Sequence, residues 1–209
     1  MEKRKMPELK AILIKIAVII CAGCLDFGMN YLFNIVLKAP LFLDTTFMIA
    51  VLFIFGPVES FLAYLVNMLC TALRLYVLYG STEFIYLYSL SAITIISITW
   101  SCIKYTRTNA AQNPTVNRIF IRFLTAAIVS AIACAVVSGI ISYFTYQQNV
   151  DEWAFDKIIF SLHLFNMQIK ESILVTSILG RIPLTVLDRI ITTFAFYNEI
   201  TNNSTNYNS

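Results

Sequence analysis

Thr45-Thr46-Phe47-Met48-Ile49-Ala50-Val51-Leu52-Phe53-Ile54-Phe55, closed by Gly56-Pro57, is the stretch on which the fold turns. As a helix it reaches only about 17 Å, whereas the hydrocarbon core of a membrane is about 30 Å thick. It cannot cross upright unaided. Asp44 stands where it can cap the start, Gly56 and Pro57 punctuate the end, and Val58 to Tyr79 is then long enough to cross. The reading is a short helix, a tight turn and a long helix.

The surroundings of this stretch are membrane-like throughout. The 209 residues are 58% hydrophobic and only 13% charged, where a soluble domain carries roughly 25% charge. Mean hydropathy is +0.74, which excludes an ordinary soluble domain and leaves no room for one beside the membrane bundle. The net charge of +3 is spread along the chain, so it offers no field for nucleic acid. All five cysteines, Cys21, Cys24, Cys70, Cys102 and Cys134, fall in apolar segments and read as small buried residues rather than as a disulfide framework or a metal site.

Upstream, Lys3, Arg4, Lys5 and Lys10 precede an apolar run from Ala11 to Leu37 that has no cleavage pattern. The basic end therefore reads as a cytoplasmic anchor and the run as the first span. Downstream, Phe84 to Ile103 and Phe123 to Val150 are free of Lys, Arg, Asp and Glu and read as spans. Lys104 to Arg122 between them, with four bases around a polar centre, reads as a cytoplasmic loop; Gly80 to Glu83 and Gln147 to Asp156 face outward. Asp151 to Phe165, with Trp153, reads as an interfacial helix.

The carboxyl end resembles the start in design. Gln168 to Leu179 is apolar apart from Lys170 and Glu171, Gly180-Arg181-Ile182-Pro183 is expected to break it, and Leu184 to Tyr197 resumes. One broken span here gives six crossings and two give seven; six keeps most bases inside. The expected fold is thus an all-α polytopic bundle of about six transmembrane helices, with a short second helix and a Pro-broken last one. It fills residues 1–198 as a single domain, and 199–209 form a polar, disordered tail. The expected location is a bacterial plasma membrane with the amino terminus inside.

No Walker A loop, H-E-x-x-H or G-x-S-x-G occurs, and the only histidine is His163. An enzyme is not expected, and no cofactor or metal is called for. What stands out is polarity inside apolar spans, because a charge at mid-bilayer costs at least ~2.5 kcal/mol and is tolerated where it meets a cavity or a partner. Asp26, Asn30 and Asn34 recur every four residues on one helix face, as a solute-binding wall or as interhelical glue. Asn67 and Arg74 share a face two turns apart, and Arg74 either meets an anionic ligand or snorkels to headgroups. Glu59 reads as a cap on the long helix, and Asp44 as a cap or a gate residue. Arg181, Thr185, Asp188 and Thr192 form a polar stripe across the expected break, with Asp26 as a possible partner for Arg181; it is either a second wall or a structural ion pair. Ala127, Ala131, Ala135 and Gly139, with Ala126, Ser130, Cys134 and Ser138 beside them, allow close approach by a neighbouring helix or by another protein.

Leu43-Asp44-Thr45-Thr46-Phe47, Phe55-Gly56-Pro57-Val58-Glu59 leading to Asn67, and Ile182-Pro183-Leu184-Thr185-Val186-Leu187-Asp188-Arg189-Ile190-Ile191 stand in a familiar order. The chain resembles the substrate-binding S components of energy-coupling factor transporters, and equally the related membrane domains that precede bacterial signalling modules. The resemblance implies a six-helix bundle with a vitamin-sized pocket opening outward, a separate transmembrane coupling protein and two ATPases. It also implies a docking face of small residues spaced by four on the first helix, for which Ala17 with Cys21 is the nearest match. The substrate-binding set is then Asp26, Asn30, Asn34, Asp44, Asn67, Arg74, Arg181 and Asp188. The alternative function is a membrane sensor or assembly subunit of a signalling or other complex; with no signalling domain after Tyr197, it would work through a separate partner chain.

Overall fold

The computed structural model describes residues 8–37, 43–80, 85–108, 116–145, 174–175 and 177–192. The expected interfacial helix at 151–165, His163, the centre of the expected inner loop at 109–115, the outer turns at 81–84 and 146–156, and the tail at 199–209 lie outside the described residues.

The first long apolar run forms α1 (Glu8–Asn30), which widens into a π-helical turn at Tyr31–Val36. The short stretch forms α2 (Thr46–Ile54), and Pro57 opens α3 (Pro57–Tyr79). A 3-10 turn at Ile85–Tyr88 leads into α4 (Ser89–Thr108), followed by α5 (Val116–Thr145) and by a last helix, α6, at 177–192. All regular structure among the described residues is helical. Leu9–Phe33, Pro57–Leu78, Tyr86–Tyr105 and Phe120–Thr145 are long and apolar enough to cross a membrane, so the chain is a polytopic membrane protein, helical throughout the regular structure of its described residues.

α2 sits in the middle. Its length of about 13 Å keeps it from crossing, and Met48, Ile49, Val51 and Leu52 are all at most 5% exposed. A helix apolar on every side belongs in a packed interior or in lipid, and Ile54 of α2 stays exposed. α1, α3 and α4 pack against α2, and Tyr64, Ile95, Ile103 and Phe123 join its residues in the main core. The turn to α3 needs Gly56, whose φ of +118° is open to glycine alone at little cost. Pro57 then takes the first helical position, where its missing N–H is no loss. The Ser60 hydroxyl donates to the Met48 carbonyl at 2.8 Å and ties the two helices across the turn.

The register of α1 against α3 follows from three contacts: Lys15 pairs with Glu59, Gly23 lies against Ala63 and Val66, and the Arg74 guanidinium sits 5.1 Å from the Tyr31 ring centre. The numbers rise together, so α1 and α3 run parallel and α2 runs back between them. Glu59, in the first turn of α3, pairs with Lys15 and also accepts its own backbone amide, so the capping role read from sequence and the ion pair coexist. A Cβ on Gly23 would lie 2.5 Å from the Ala63 carbonyl oxygen, whereas one on Gly28 would meet nothing within 4 Å. Gly23→Ala is expected to destabilise by about 1–3 kcal/mol through overpacking, and Gly28→Ala to stabilise by about 0.5–1 kcal/mol through helix propensity. Melting of the two variants in detergent checks this; equal shifts would remove the close approach at Gly23.

α4 and α5 form an antiparallel hairpin, with Tyr88 beside Ser142 at one end and Cys102 beside the Arg122 carbonyl at the other. Both helices reach into the expected inner loop, because α5 begins at Val116 and carries Arg118 and Arg122 on helix. α6 lies antiparallel to α5, placing Ile178 on Gly139, Arg181 on Ser142 and Thr185 on Ala131.

The expected break at Gly180-Arg181-Ile182-Pro183 is absent: α6 is helical straight through it. Pro183 forfeits one hydrogen bond, to the Leu179 carbonyl, and its exposed ring points off the bundle. Two residues on, the Thr185 hydroxyl donates to the Arg181 carbonyl at 2.9 Å and lies 3.3 Å from the Ala131 carbonyl of α5, which ties the two helices together beside the proline.

Candidate solute-binding site

The site is built around residues 43–46, which enter α2. Asp26 of α1 is fully buried, and its two carboxylate oxygens accept the Phe47 and Met48 amides at 2.8 Å each. Those are the second and third amides of α2, the ones a helix cannot satisfy itself. α2 is thus capped by a side chain from another helix, and Asp44 does not serve as its cap: Thr45 holds the N-cap position and has no side-chain cap bond.

Three further contacts pin the same segment. The Asn67 amide of α3 donates to the Asp44 carbonyl at 2.8 Å. The Arg189 guanidinium of α6 donates to the Thr45 hydroxyl, and the Thr46 and Thr192 hydroxyls lie 3.3 Å apart. Leu43, at φ +37°, occupies a left-handed conformation that costs a non-glycine residue about 1–3 kcal/mol. The surrounding hydrogen bonds hold it there.

This pinned segment forms one wall of a cavity of about 230 Å³. Asn30 closes it from α1, Tyr64, Asn67 and Thr71 from α3, Ser91 and Ile95 from α4, Ser138 from α5, and Arg181, Asp188 and Arg189 from α6. Asp188 and Arg189 are buried and paired at 3.6 Å. Arg181 donates to the Ser142 hydroxyl at 2.6 Å.

Of the residues singled out by sequence, Asn30, Asp44, Asn67, Arg181 and Asp188 line this one cavity. Asp26 does not; its carboxylate is consumed by α2, so the expected Arg181–Asp26 pair does not form. Arg74 is placed on the Tyr31 ring rather than in the cavity lining. Asn34 falls in the π-helical turn, and its side chain lies outside the described residues. Arg189, Thr45, Tyr64, Tyr88 and Ser91 were not singled out by sequence. For Arg189 a signal existed, a second base inside an apolar run. The hydroxyls and tyrosines carried none.

The small-residue row on α5 is not a free docking face. Ala127, Ala131, Ala135 and Gly139 are buried; Thr185 reaches the Ala131 carbonyl, and a Cβ on Gly139 would lie 2.8 Å from Ile178. α6 takes this seam within the chain, and Cys134 and Ser138 of the adjoining row face the cavity. Ala17 and Cys21 are exposed on α1.

Fold and site together define a helical membrane protein with a polar chamber walled by five helices and the entry to a sixth. Comparison of the chain with protein-family models, with curated proteins and with solved structures finds no match.

Proposed function

We propose that the protein is the solute-binding membrane subunit of an importer, of the S-component type, energised by separate coupling and ATPase subunits. The observation that carries this reading is the cavity: two guanidinium groups and two carboxylates gathered around a chamber inside an apolar bundle. Intramembrane charge is costly and is kept where it serves a solute path or site. Two of the three stretches that resemble S components, 43–47 and 182–191, contribute directly to its wall. In this reading six spans place the amino terminus in the cytoplasm of a bacterial cell and open the cavity outward, and the exposed Ala17 and Cys21 face of α1 is left for the coupling protein.

Purification of the tagged protein from its native membranes is expected to bring down an ATPase and a second membrane protein, and native mass spectrometry to show a small-molecule adduct. An adduct without an ATPase would leave a solute sensor as the better reading; neither would remove solute binding as well.

A further inference from the structure

We infer that the cavity takes a solute of zero net charge that presents a hydrogen-bond donor to Asp188, an inference that rests on the solute-binding reading above. Arg181 is held by Ser142, and Arg189 is held by Thr45 and by one oxygen of Asp188. The Leu43 amide also faces the Asp188 carboxylate, but its Oδ1, on a residue only 2% exposed, has no hydrogen bond of normal geometry among the described residues. The Ser91 hydroxyl, 7% exposed and on the same cavity, is in the same position.

A buried polar atom left unpaired costs about 1–3 kcal/mol, so both atoms gain from a ligand that reaches them. A carboxylate oxygen can only accept, which makes the complementary ligand group a donor, while the serine hydroxyl suits either kind. The formal charges of the wall cancel, with Arg181 and Arg189 against Asp44 and Asp188. A ligand with net charge would therefore be buried without a counterion, and such burial is strongly unfavourable. The volume of about 230 Å³ lies below the roughly 300 Å³ at which drug-sized sites begin. Tyr64 and Ile95 add apolar surface to the lining. A small heterocycle bearing an amide or amine fits each of these terms.

The test uses matched sets of small heterocycles, each as the neutral amide, the carboxylate and the N-methylated cation, beginning with nicotinamide, nicotinate and 1-methylnicotinamide. Thermal stabilisation of the detergent-purified full chain is the readout. Stabilisation by neutral members alone is expected. Asp188→Asn gives the wall a net positive charge and should move the preference from amide to carboxylate. Should that variant not fold, Ser91→Ala should weaken binding of a neutral probe about tenfold; unchanged affinity would overturn the assignment. Stabilisation of the unmodified protein by carboxylates or cations would overturn the ligand class and leave solute binding standing. Silence from all three sets would overturn both.

Discussion

Arg189→Ala is expected to cost about 3–5 kcal/mol of stability, the range for breaking a buried ion pair by removing one partner. Asp188 and Arg189 are 2% and 3% exposed, so the carboxylate left behind is poorly solvated. The same change strips the Thr45 hydroxyl of its donor and loosens the wall at the entry to α2. Folded yield in detergent and the retained solute should fall together. The double change Arg189→Met with Asp188→Val removes both charges at similar volume and is expected to recover most of the stability, since apolar replacements of buried pairs are often neutral or better. Solute retention should not return. If Arg189→Ala alone melts like the parent, the pair is not desolvated and its place in the cavity wall must be reassigned.

The second large effect belongs to Asp26. Asp26→Ala leaves the Phe47 and Met48 amides unpaired in the core, at about 1–3 kcal/mol each. The loss also removes a negative charge from the positive end of the α2 dipole. Asp26→Asn keeps one acceptor but turns an amide donor toward the second N–H, so it should fall between the parent and Asp26→Ala. That graded order, read as melting temperature, separates a capping role from a solute-binding one. A pure binding role would leave the unliganded protein unaffected by either change.

The four long apolar helices were legible because a long run dominated by apolar residues has one stable solution in a bilayer. α2 was legible for a related reason: Thr45 to Phe55 is too short to cross, and Gly56-Pro57 can only turn. Errors arose wherever a local signal was answered from far away. Asp44 stands at the right place in sequence to cap α2, yet the acceptor comes from Asp26 on another helix. Gly180 and Pro183 weaken a helix locally, yet packing of α6 along Ala131 and Gly139 holds it. The period of four on α5 foretold a close-packed seam without saying whose backbone fills it. Asp188 was found through its stripe of three- and four-residue steps, whereas Arg189, one position off the stripe, was passed over although it holds the same wall.

The fastening of residues 45 and 46 bears on the order in which the molecule is made. Thr45 and Thr46 meet their partners Arg189 and Thr192 across separations of 144 and 146 residues. During synthesis α1 can cap α2 as soon as both are inserted, but the chamber stays open on one side until α6 arrives. Chains interrupted before α6 would therefore carry a nearly complete set of long apolar helices and no finished receptacle. Such fragments would reside in the bilayer without the chamber.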